Sequence, residues 1–460
     1  MTETPVTTLL VLGASGDLTS RLLLPGLGSL LAVEPERRVR VVGADRAELS
    51  EQDWHDKIRT AMHGEDVPQD RIDELLTTAD YVKVDLLESQ ELTDLIAEQH
   101  APLVLYFALP PQVSVKLCAL LEDIDLPEGT RLALEKPFGH DLDTARELNR
   151  QLLRVVPEEQ IHRVDHFLGV NTVLNLIGIR FANRLLQPLW SGDHIDSVDI
   201  TYDETLALEG RAGYYDKAGA LVDMLQSHLL QVLALFAMEA PSALTSIEVQ
   251  SLKAQVLRAT HVWQDDPTTA SHRARYTAGQ VGDHEVPDYA AEDGVDPEQE
   301  TETLAQVTLA VDNARWGGVP FRLRSGKALG DLSKRIVVTF KAPAHVPTGL
   351  YDVPDPDRLV LDLKPGAVRL ELSMNAEGDP FHLEQKALTA ELGKARMLPY
   401  GEVLAGIFDG DALLSIRGDV AQECWRIMTP VLQAWRDGAV ALDSYPAGSA
   451  GPSGWQGSAT

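Results

Sequence analysis

The run Thr7-Thr8-Leu9-Leu10-Val11-Leu12, followed at once by Gly13-Ala14-Ser15-Gly16-Asp17-Leu18, decides the fold of the first part of the chain. The apolar run predicts a buried parallel strand, and the apolar residues recurring from 18 to 30 predict a helix behind the glycines. A strand, a glycine turn and a helix together favour phosphate binding, because the helix N-terminus offers unpaired N–H groups. The G-x-x-G spacing is shorter than the usual G-x-G-x-x-G, so an ordinary tight turn stays open as an alternative.

Further apolar runs alternate with helical patterns along the first third of the chain. The strands are predicted at 39–42, 81–84, 103–108, 132–134 and 161–164, with helices at 92–99, 113–121 and 141–154. Such βαβ alternation predicts a doubly wound parallel sheet that binds ligands at the carboxyl ends of its strands. We therefore place a dinucleotide-binding, Rossmann-like domain at residues 1–172.

Charged residues stand at two of these predicted strand ends. Arg46 suits the 2′-phosphate of NADP, whereas its neighbour Asp45 suits the free 2′-hydroxyl of NAD and repels a phosphate. Both cofactors, and a plain solvated strand end, therefore stay open. Pro137 restricts the backbone of Lys136, which is therefore able to aim its ammonium group at a sugar hydroxyl or a phosphate. A surface ion pair between Glu135 and Lys136 suits the sequence equally well.

The composition limits the classes of partner. With 460 residues the chain accommodates two domains, and its net charge of -30 argues against nucleic acid and anionic membranes. Cys118 and Cys424 belong to no CxxC motif, which argues against a disulfide framework and a zinc site. The start of the chain lacks a basic region, and no run of about 18 apolar residues is present. We expect a soluble cytoplasmic protein.

The second domain is predicted at residues 173–460. Alternating strands at 195–202, 303–311, 336–340, 358–363 and 368–373 indicate an α+β domain with a mainly antiparallel sheet. The stretch 263–302 is predicted as an acidic loop, and 446–460 as a surface loop or frayed end. The cation-rich stretch 319–329 suits an anion-binding loop, or equally a basic patch that answers the acidic loop. His228 lies on the apolar stripe of a helix at 220–238, where a satisfied core histidine is the usual interpretation.

Seven motifs in order resemble the glucose-6-phosphate 1-dehydrogenase family over nearly the whole chain. They are GASGDL at 13–18, EKPFG at 135–139, RVDHFLG at 163–169, RFANR at 180–184, EGRAGYYD at 209–216, DMLQSHLLQ at 223–231 and VPFRLRSGKAL at 319–329. The resemblance implies a Rossmann-like domain, a β+α domain with a large antiparallel sheet, and a homodimer or homotetramer formed through that sheet. It also implies oxidation of C1 of a hexose 6-phosphate to the 1,5-lactone, with hydride passing to NADP or NAD.

The resemblance also assigns roles by position. It implies that His228 is the catalytic base, with Asp165 as its partner, and it overturns the interpretation as a core histidine. The implied substrate-binding residues are Lys136, His166, Glu204, Asp223 and Lys327. The implied cofactor-binding residues are Gly13, Ser15, Gly16, Asp17, Leu18, Arg46 and Lys136. No metal is implied, since a base and a nicotinamide suffice for this oxidation.

Four positions depart from the family pattern. Phe167 and Val170 stand where a tyrosine and a lysine are usual near the substrate phosphate, Ser20 replaces a lysine, and Ser227 replaces an asparagine. Losing the lysine alone weakens phosphate binding by about 10- to 100-fold.

Two enzyme hypotheses follow from these departures. In one, the missing charge is supplied from elsewhere, by Arg324, Lys327, Lys334 or Arg335. In the other, the enzyme is a divergent hexose 1-dehydrogenase acting on an unphosphorylated or modified sugar. A non-catalytic sensor is a third hypothesis, and the intact Asp165, His228 and Lys136 argue against it.

Overall fold

The computed structural model describes residues 6–208, 210 and 212–455, and these form two compact units. The first unit comprises the described part of Met1–Asn171 together with Pro241–Ser251 and Lys394–Gln422. The second comprises Thr172–Ala240, Leu252–Gly393 and Glu423–Thr460, again as far as they are described. The predicted boundary at residue 172 leaves the two later segments out of the first domain. Sequence patterns group residues that are close along the chain, and these segments join the first unit only in the folded protein. Glu209 and Arg211 of the EGRAGYYD motif lie outside the described residues, as do 456–460.

Nineteen strands and thirteen α-helices make up most of the described chain. The strands, in chain order, are β1 (Thr7–Leu12), β2 (Val39–Asp45), β3 (Asp80–Lys83), β4 (Leu103–Phe107), β5 (Arg131–Glu135), β6 (Ile161–Val164), β7 (Ile195–Asp203), β8 (Thr260–Val262), β9 (Ser271–Thr277), β10 (Gly279–Val281), β11 (His284–Val286), β12 (Leu304–Val311), β13 (Phe321–Gly326), β14 (Ser333–Phe340), β15 (Arg358–Leu363), β16 (Gly366–Ala376), β17 (Asp379–Glu391), β18 (Ser415–Ile416) and β19 (Leu442–Pro446). The α-helices are α1 (Leu24–Val33), α2 (Glu51–Gly64), α3 (Gln69–Leu76), α4 (Ser89–Ala97), α5 (Pro111–Leu121), α6 (Leu142–Val155), α7 (Asn171–Phe181), α8 (Ala212–Ala220), α9 (Leu230–Ala237), α10 (Ser246–Arg258), α11 (Pro267–Ala270), α12 (Pro399–Asp409) and α13 (Gly418–Arg436). Two segments are π-helical, Thr19–Leu23 and Leu221–Leu229, and His166–Gly169 is a 3-10 helix.

The first unit contains the doubly wound sheet that the sequence predicts. Its order is β18-β6-β5-β4-β1-β2-β3, and β1 to β6 pair in parallel. The short β18 pairs antiparallel with β6 and closes one edge. Every residue of β1 is buried, as expected for a strand covered on both faces. The prediction of an N-terminal Rossmann-like sheet is therefore confirmed.

Helix α12 is part of this first unit although it lies far along the chain. Its apolar side chains join the same core as β1, β2 and β4; they are Tyr400, Val403, Leu404, Ile407 and Phe408. The packing against α1 is close, since a Cβ atom on Gly26 would come 2.4 Å from the Cβ of Tyr400. Ser29 strengthens the contact by accepting a hydrogen bond from the backbone N–H of Leu398 at 3.0 Å.

The second unit is built on a large, mainly antiparallel sheet, as predicted. Its order is β17-β16-β15-β14-β7-β13-β12-β9-β19, with β8 paired to β12. The pairs β7–β13 and β9–β19 are parallel, and the other neighbours are antiparallel. The carboxyl ends of β7 and β13 therefore lie at the same edge of this sheet.

The interpretation of 319–329 as a cation-rich loop is wrong, because Phe321–Gly326 is the central strand β13. Phe321 and Leu323 are fully buried. The two arginines of the strand are neutralised by its neighbour β7, Arg322 pairing with Asp199 and Arg324 with Asp203 at 2.8 Å. The sequence pattern did not reveal that these charges have partners on a strand far earlier in the chain.

The stretch 263–302 is also more ordered than its composition predicts. It contains β9, whose Ala274 and Tyr276 are fully buried, and the hairpin of β10 and β11. The predicted surface loop at the end of the chain is confirmed for 447–454, which form turns and bends, but it is anchored by Trp455, which is buried and whose indole N–H donates to Asp443 at 3.0 Å. Burial of aromatic side chains outweighs the polar composition in both segments.

One helical stretch in the described part of the chain, Tyr215–Ala237, is long and apolar enough to cross a membrane by length and composition. Within its most apolar window, 83% is buried inside the protein. Core helices of globular proteins meet the same criteria, so this stretch is weak evidence for a membrane.

Candidate active site

The glycine turn after β1 is held by its neighbours in the first sheet. The N–H of Gly13 donates to the carbonyl oxygen of Ala44 at 2.8 Å. The residue has φ +92°, and a Cβ atom there would lie 2.4 Å from the carbonyl oxygen of Ala108, so only glycine fits. Gly16 follows, and a helical turn starts at Asp17 and Leu18. This close backbone approach, ending at a helix N-terminus, fits a pyrophosphate.

Asp45 connects the end of β2 to this turn. Its Oδ2 accepts hydrogen bonds from both the backbone N–H and the hydroxyl of Ser15, at 3.1 and 2.7 Å. Its Oδ1 accepts from the backbone N–H of Arg46 at 2.7 Å. The guanidinium of Arg46 remains 72% exposed, 4.0 Å from Asp85. The structure thus brings the cofactor residues predicted from the sequence together at one strand edge.

Lys57 on α2 is a site residue that no sequence motif indicates. Its ammonium group donates to the carbonyl oxygen of Ser15 and to the hydroxyl of Ser20, both at 3.2 Å. Ser20 is the position where the family pattern has a lysine. The charge is therefore restored from another helix, which a motif in one stretch of sequence does not reveal.

Glu135, at the end of β5, is held by two tyrosines. Tyr106 donates its hydroxyl to Oε1 at 2.5 Å, and Tyr400 donates a second hydrogen bond. The pKa of Glu135 is raised to about 7, chiefly by burial and to a lesser extent by nearby Asp165, against the opposing effects of the two hydroxyls and Lys136. Glu135 is half-buried and its charge interacts with that of Lys136, so only a fully exposed surface ion pair fails to describe this arrangement. Lys136 itself is half-buried next to it.

Asp165 and His166 follow β6 at the same sheet edge. Asp165 is 1% exposed and begins the 3-10 helix His166–Gly169, its Oδ1 accepting from the N–H of Phe167 at 3.0 Å. The ring of His166 stacks on Tyr400, with centroids 5.5 Å apart and planes 13° apart. Phe167 stands where the family pattern has a tyrosine. Its ring is buried in the core, and the tyrosine hydroxyl is absent.

In the second unit, Glu204 and Lys327 extend β7 and β13. These strands are parallel and Asp203 is paired with Gly326, so the next residues are neighbours. Lys327 and Lys334 each donate to Glu204, at 3.1 and 3.0 Å. Burial by itself would raise the pKa of Glu204, but the two ammonium groups outweigh it and the pKa is lowered. Two lysines and one carboxylate leave one net positive charge.

Not all the cations considered as substitutes for the missing lysine are equally placed. Arg324, which is as buried as Lys327 and Lys334, has a carboxylate of its own, because it pairs with Asp203 at 2.8 Å. It also donates to the carbonyl oxygen of Ala450. Lys327 and Lys334, which share Glu204, are therefore better candidates than Arg324 for binding an anion.

His228 and Asp223 lie on the π-helical segment Leu221–Leu229. His228 is 1% exposed, as the apolar stripe predicts. Glu302, which no sequence motif indicates, accepts a hydrogen bond from the N–H of Leu221 at 2.9 Å and so holds the start of this segment. Burial raises the pKa of Glu302 to about 7. Single turns of π-helix are frequent at functional sites.

Comparisons with known proteins agree with this architecture. The family model "Glucose-6-phosphate dehydrogenase, NAD binding domain" matches residues 10–175, and the model for the C-terminal domain matches 177–458. A glucose-6-phosphate 1-dehydrogenase of Gluconobacter oxydans is 38% identical, with 96% of this chain and 94% of that protein covered. The corresponding protein of Mycolicibacterium smegmatis is 35% identical, with coverage of 96% and 93%.

Solved structures extend the likeness to three dimensions. The crystal structure of glucose-6-phosphate 1-dehydrogenase from Mycobacterium avium superposes with a TM-score of 0.83 at 33% identity, covering 97% of this chain and 96% of that one. A glucose-6-phosphate dehydrogenase in complex with its substrate glucose-6-phosphate superposes with a TM-score of 0.86 at 28% identity, with the same coverage. The sequence motifs, both sheets and these matches together show that the chain belongs to the glucose-6-phosphate dehydrogenase family.

Proposed function

We propose that this enzyme oxidises C1 of glucose 6-phosphate to the 1,5-lactone and passes the hydride to NAD or NADP. The observation that carries the proposal is family membership over both domains. The alternative, a dehydrogenase for unphosphorylated sugars, is not favoured, because the relatives carry the name of the phosphorylated substrate.

His228 is the proposed general base. A neutral imidazole takes the proton of the C1 hydroxyl as the hydride leaves, and a carboxylate behind the ring fixes its tautomer and stabilises the cation formed. Asp165 is the proposed carboxylate. Support comes from the burial of both side chains and from the rigid 3-10 turn that Asp165 begins.

The remaining polar residues are assigned to the sugar and its phosphate. We infer that Lys136, Glu204 and Asp223 contact sugar hydroxyls. His166 and Lys327 bind the phosphate, and Lys334 joins them, because it shares Glu204 with Lys327. The two ammonium groups are suited to an anion, since a charge-assisted hydrogen bond contributes about 1.5–3 kcal/mol.

The cofactor residues are proposed from the fit of the turn to a dinucleotide. Gly13 and Gly16 let the backbone approach the pyrophosphate, Ser15, Asp17 and Leu18 present the helix N-terminus, and Arg46 and Asp45 face the adenosine ribose. Lys136 would complete the set, by family resemblance. The bound nicotinamide supplies the hydride acceptor.

We also propose that the enzyme is a cytoplasmic homodimer or homotetramer assembled through the second sheet, by family resemblance. In support, strands β16 and β17 expose large apolar side chains, Met374, Phe381 and Leu388, at 37%, 59% and 55%. Sedimentation of the wild type and of Leu388→Lys tests this. A wild type that sediments as a monomer would contradict it.

Steady-state kinetics with glucose and glucose 6-phosphate, each with NAD and NADP, tests the reaction. We expect kcat/KM for the phosphorylated sugar to exceed that for glucose by about 100-fold or more. Lys334→Met should remove most of that difference, whereas Lys341→Met, on the same sheet but donating to the carbonyl oxygen of Gly192, should not. Equal efficiency with glucose would reject the proposed substrate.

A further inference from the structure

We propose that the enzyme prefers NAD to NADP, and that Asp45 is the residue that sets this preference. The proposal deepens the proposed function by choosing between its two cofactors. Only the kinetic test of this preference depends on the proposed oxidation of glucose 6-phosphate. The sequence leaves the choice open, because Asp45 and Arg46 favour opposite cofactors, and the geometry of the two side chains decides between them.

Asp45 lies where the adenosine ribose of a dinucleotide binds. It is the last residue of β2, and the pairing of Leu12 with Ala44 places it directly beside the glycine turn. In parallel nucleotide-binding sheets an acidic residue at this strand end accepts hydrogen bonds from the ribose hydroxyls. A 2′-phosphate on the ribose would therefore have to approach this carboxylate.

The carboxylate is fixed in place by three short hydrogen bonds. Ser15 contributes two of them, through its N–H at 3.1 Å and its hydroxyl at 2.7 Å. The backbone N–H of Arg46 contributes the third at 2.7 Å. Rotating Asp45 away would break all three, so the negative charge remains where the phosphate would arrive. Both donors of Ser15 are already used, and neither is available to that phosphate.

The nearby cations do not offset this charge. The guanidinium of Arg46 is 72% exposed, where water screens it, and Asp85 lies 4.0 Å from it. The ammonium of Lys57 is bound to the Ser15 carbonyl oxygen and the Ser20 hydroxyl instead of Asp45. One fixed, partly buried carboxylate therefore opposes one exposed surface arginine.

The same carboxylate suits NAD. Its Oδ1 has a second contact, with the N–H of Ala47, that is long at 3.4 Å. A hydrogen bond of this length is weak, so Oδ1 is able to accept a stronger hydrogen bond from a ribose hydroxyl. Hydrogen bonds to a charged group change affinity by about 10- to 100-fold, which sets the expected size of the preference.

The test measures kcat/KM for NAD and NADP at saturating glucose 6-phosphate, and the dissociation constants of both cofactors by calorimetry without sugar. The variants are Asp45→Ala, Asp45→Asn, which keeps the shape and removes the charge, and Asp85→Asn as a nearby control. We expect the wild type to prefer NAD by about tenfold or more. Both Asp45 variants should shift the ratio toward NADP by about tenfold or more, and by more than Asp85→Asn does.

Any other pattern overturns the proposal, including a wild type that prefers NADP or an Asp85→Asn shift that matches Asp45→Asn. Calorimetry separates this outcome from failure of the proposed function. If the enzyme did not oxidise glucose 6-phosphate but bound NAD more tightly through Asp45, the proposed substrate would be wrong and the cofactor preference would stand.

Discussion

The hydroxyl of Tyr106 lies 2.5 Å from Oε1 of Glu135, so a carboxylate at the centre of the first unit is held by a hydrogen bond that reaches it from the neighbouring strand. Tyr400 supplies a second donor from α12. Glu135 precedes Lys136, which we assign to both substrate and cofactor. The protonation state of this one side chain therefore bears on stability and on the geometry of the site.

We predict that Glu135→Gln flattens the pH dependence of stability. The pKa of Glu135 in the folded protein is about 7, above its ordinary value of 4.5. Below pH 4.5 the acid is neutral in both folded and unfolded chains. As the pH rises from 4.5 to 7 the unfolded chain ionises first, so the free energy of unfolding falls, and above 7 the loss is complete.

Urea unfolding of the wild type and of Glu135→Gln between pH 4.5 and 8 checks this. Glu302, whose pKa is also raised to about 7, adds the same dependence, so the variant removes only part of the slope. Glu48→Gln, at an exposed acid whose pKa is lowered by Lys83, is the control and should leave the slope unchanged. An unaltered slope in Glu135→Gln would contradict the assignment.

Tyr400 is expected to orient His166 through its ring. Tyr400→Leu removes the stacked ring and should raise KM for glucose 6-phosphate by about three- to tenfold. Tyr400→Phe keeps the ring and loses the hydroxyl bound to Glu135, so it should cost about 1–3 kcal/mol of stability with little change in KM. The same rise in KM for both variants would show that the hydroxyl, and not the ring, matters.

Glu302 is expected to anchor the segment that carries His228. Glu302→Ala removes the acceptor of the Leu221 N–H and should lower the free energy of unfolding by about 1–3 kcal/mol, together with kcat. Glu302→Gln keeps an acceptor oxygen and should retain most of both. Urea unfolding and steady-state kinetics give the two readouts. Equal loss in the two variants would indicate that the charge of Glu302 is what the segment requires.

His228→Asn should lower kcat by about 10²- to 10⁴-fold, because the proposed general base is lost. Cofactor binding, measured by calorimetry, should persist. His272→Asn serves as a matched control in the same unit, since His272 packs against Trp455, with ring centroids 5.2 Å apart, and has no assigned role. Turnover by His228→Asn close to that of the wild type would remove His228 as the base.

The pattern of apolar runs was enough to predict the first sheet. Thr7–Leu12 and Ile161–Val164 were predicted to the residue, and the helix predicted at 141–154 is α6, whose N-cap Asp141 accepts from the N–H of Thr144. Buried parallel strands are short and nearly all apolar, so they stand out in the sequence. Strand β13 was missed because its two arginines look like surface residues in the sequence. Their charges are balanced only by carboxylates on the neighbouring strand β7.

The site was predicted as far as single stretches of sequence allow. The motif residues were recognised because each belongs to a short stretch that resembles a family motif, and His228 would otherwise have been interpreted as a core histidine. Lys57, Tyr106, Tyr400 and Glu302 were missed because each acts on a partner that is distant in sequence, such as Tyr400 on Glu135. Such pairings exist only once the chain has folded, and no local pattern encodes them.

Helix α12 has a consequence for the order in which the protein folds. The core around β1 includes Tyr400, Leu404 and Phe408, which are synthesised long after β1 itself. A growing chain therefore has the strands of its nucleotide-binding sheet before it has α12, one of the helices that cover the sheet. Until α12 is synthesised, the face of α1 that carries Gly26 stays open to solvent. The first domain to be translated is thus unable to finish folding until residues 394–422 have been synthesised, and it depends on this late segment for its last layer.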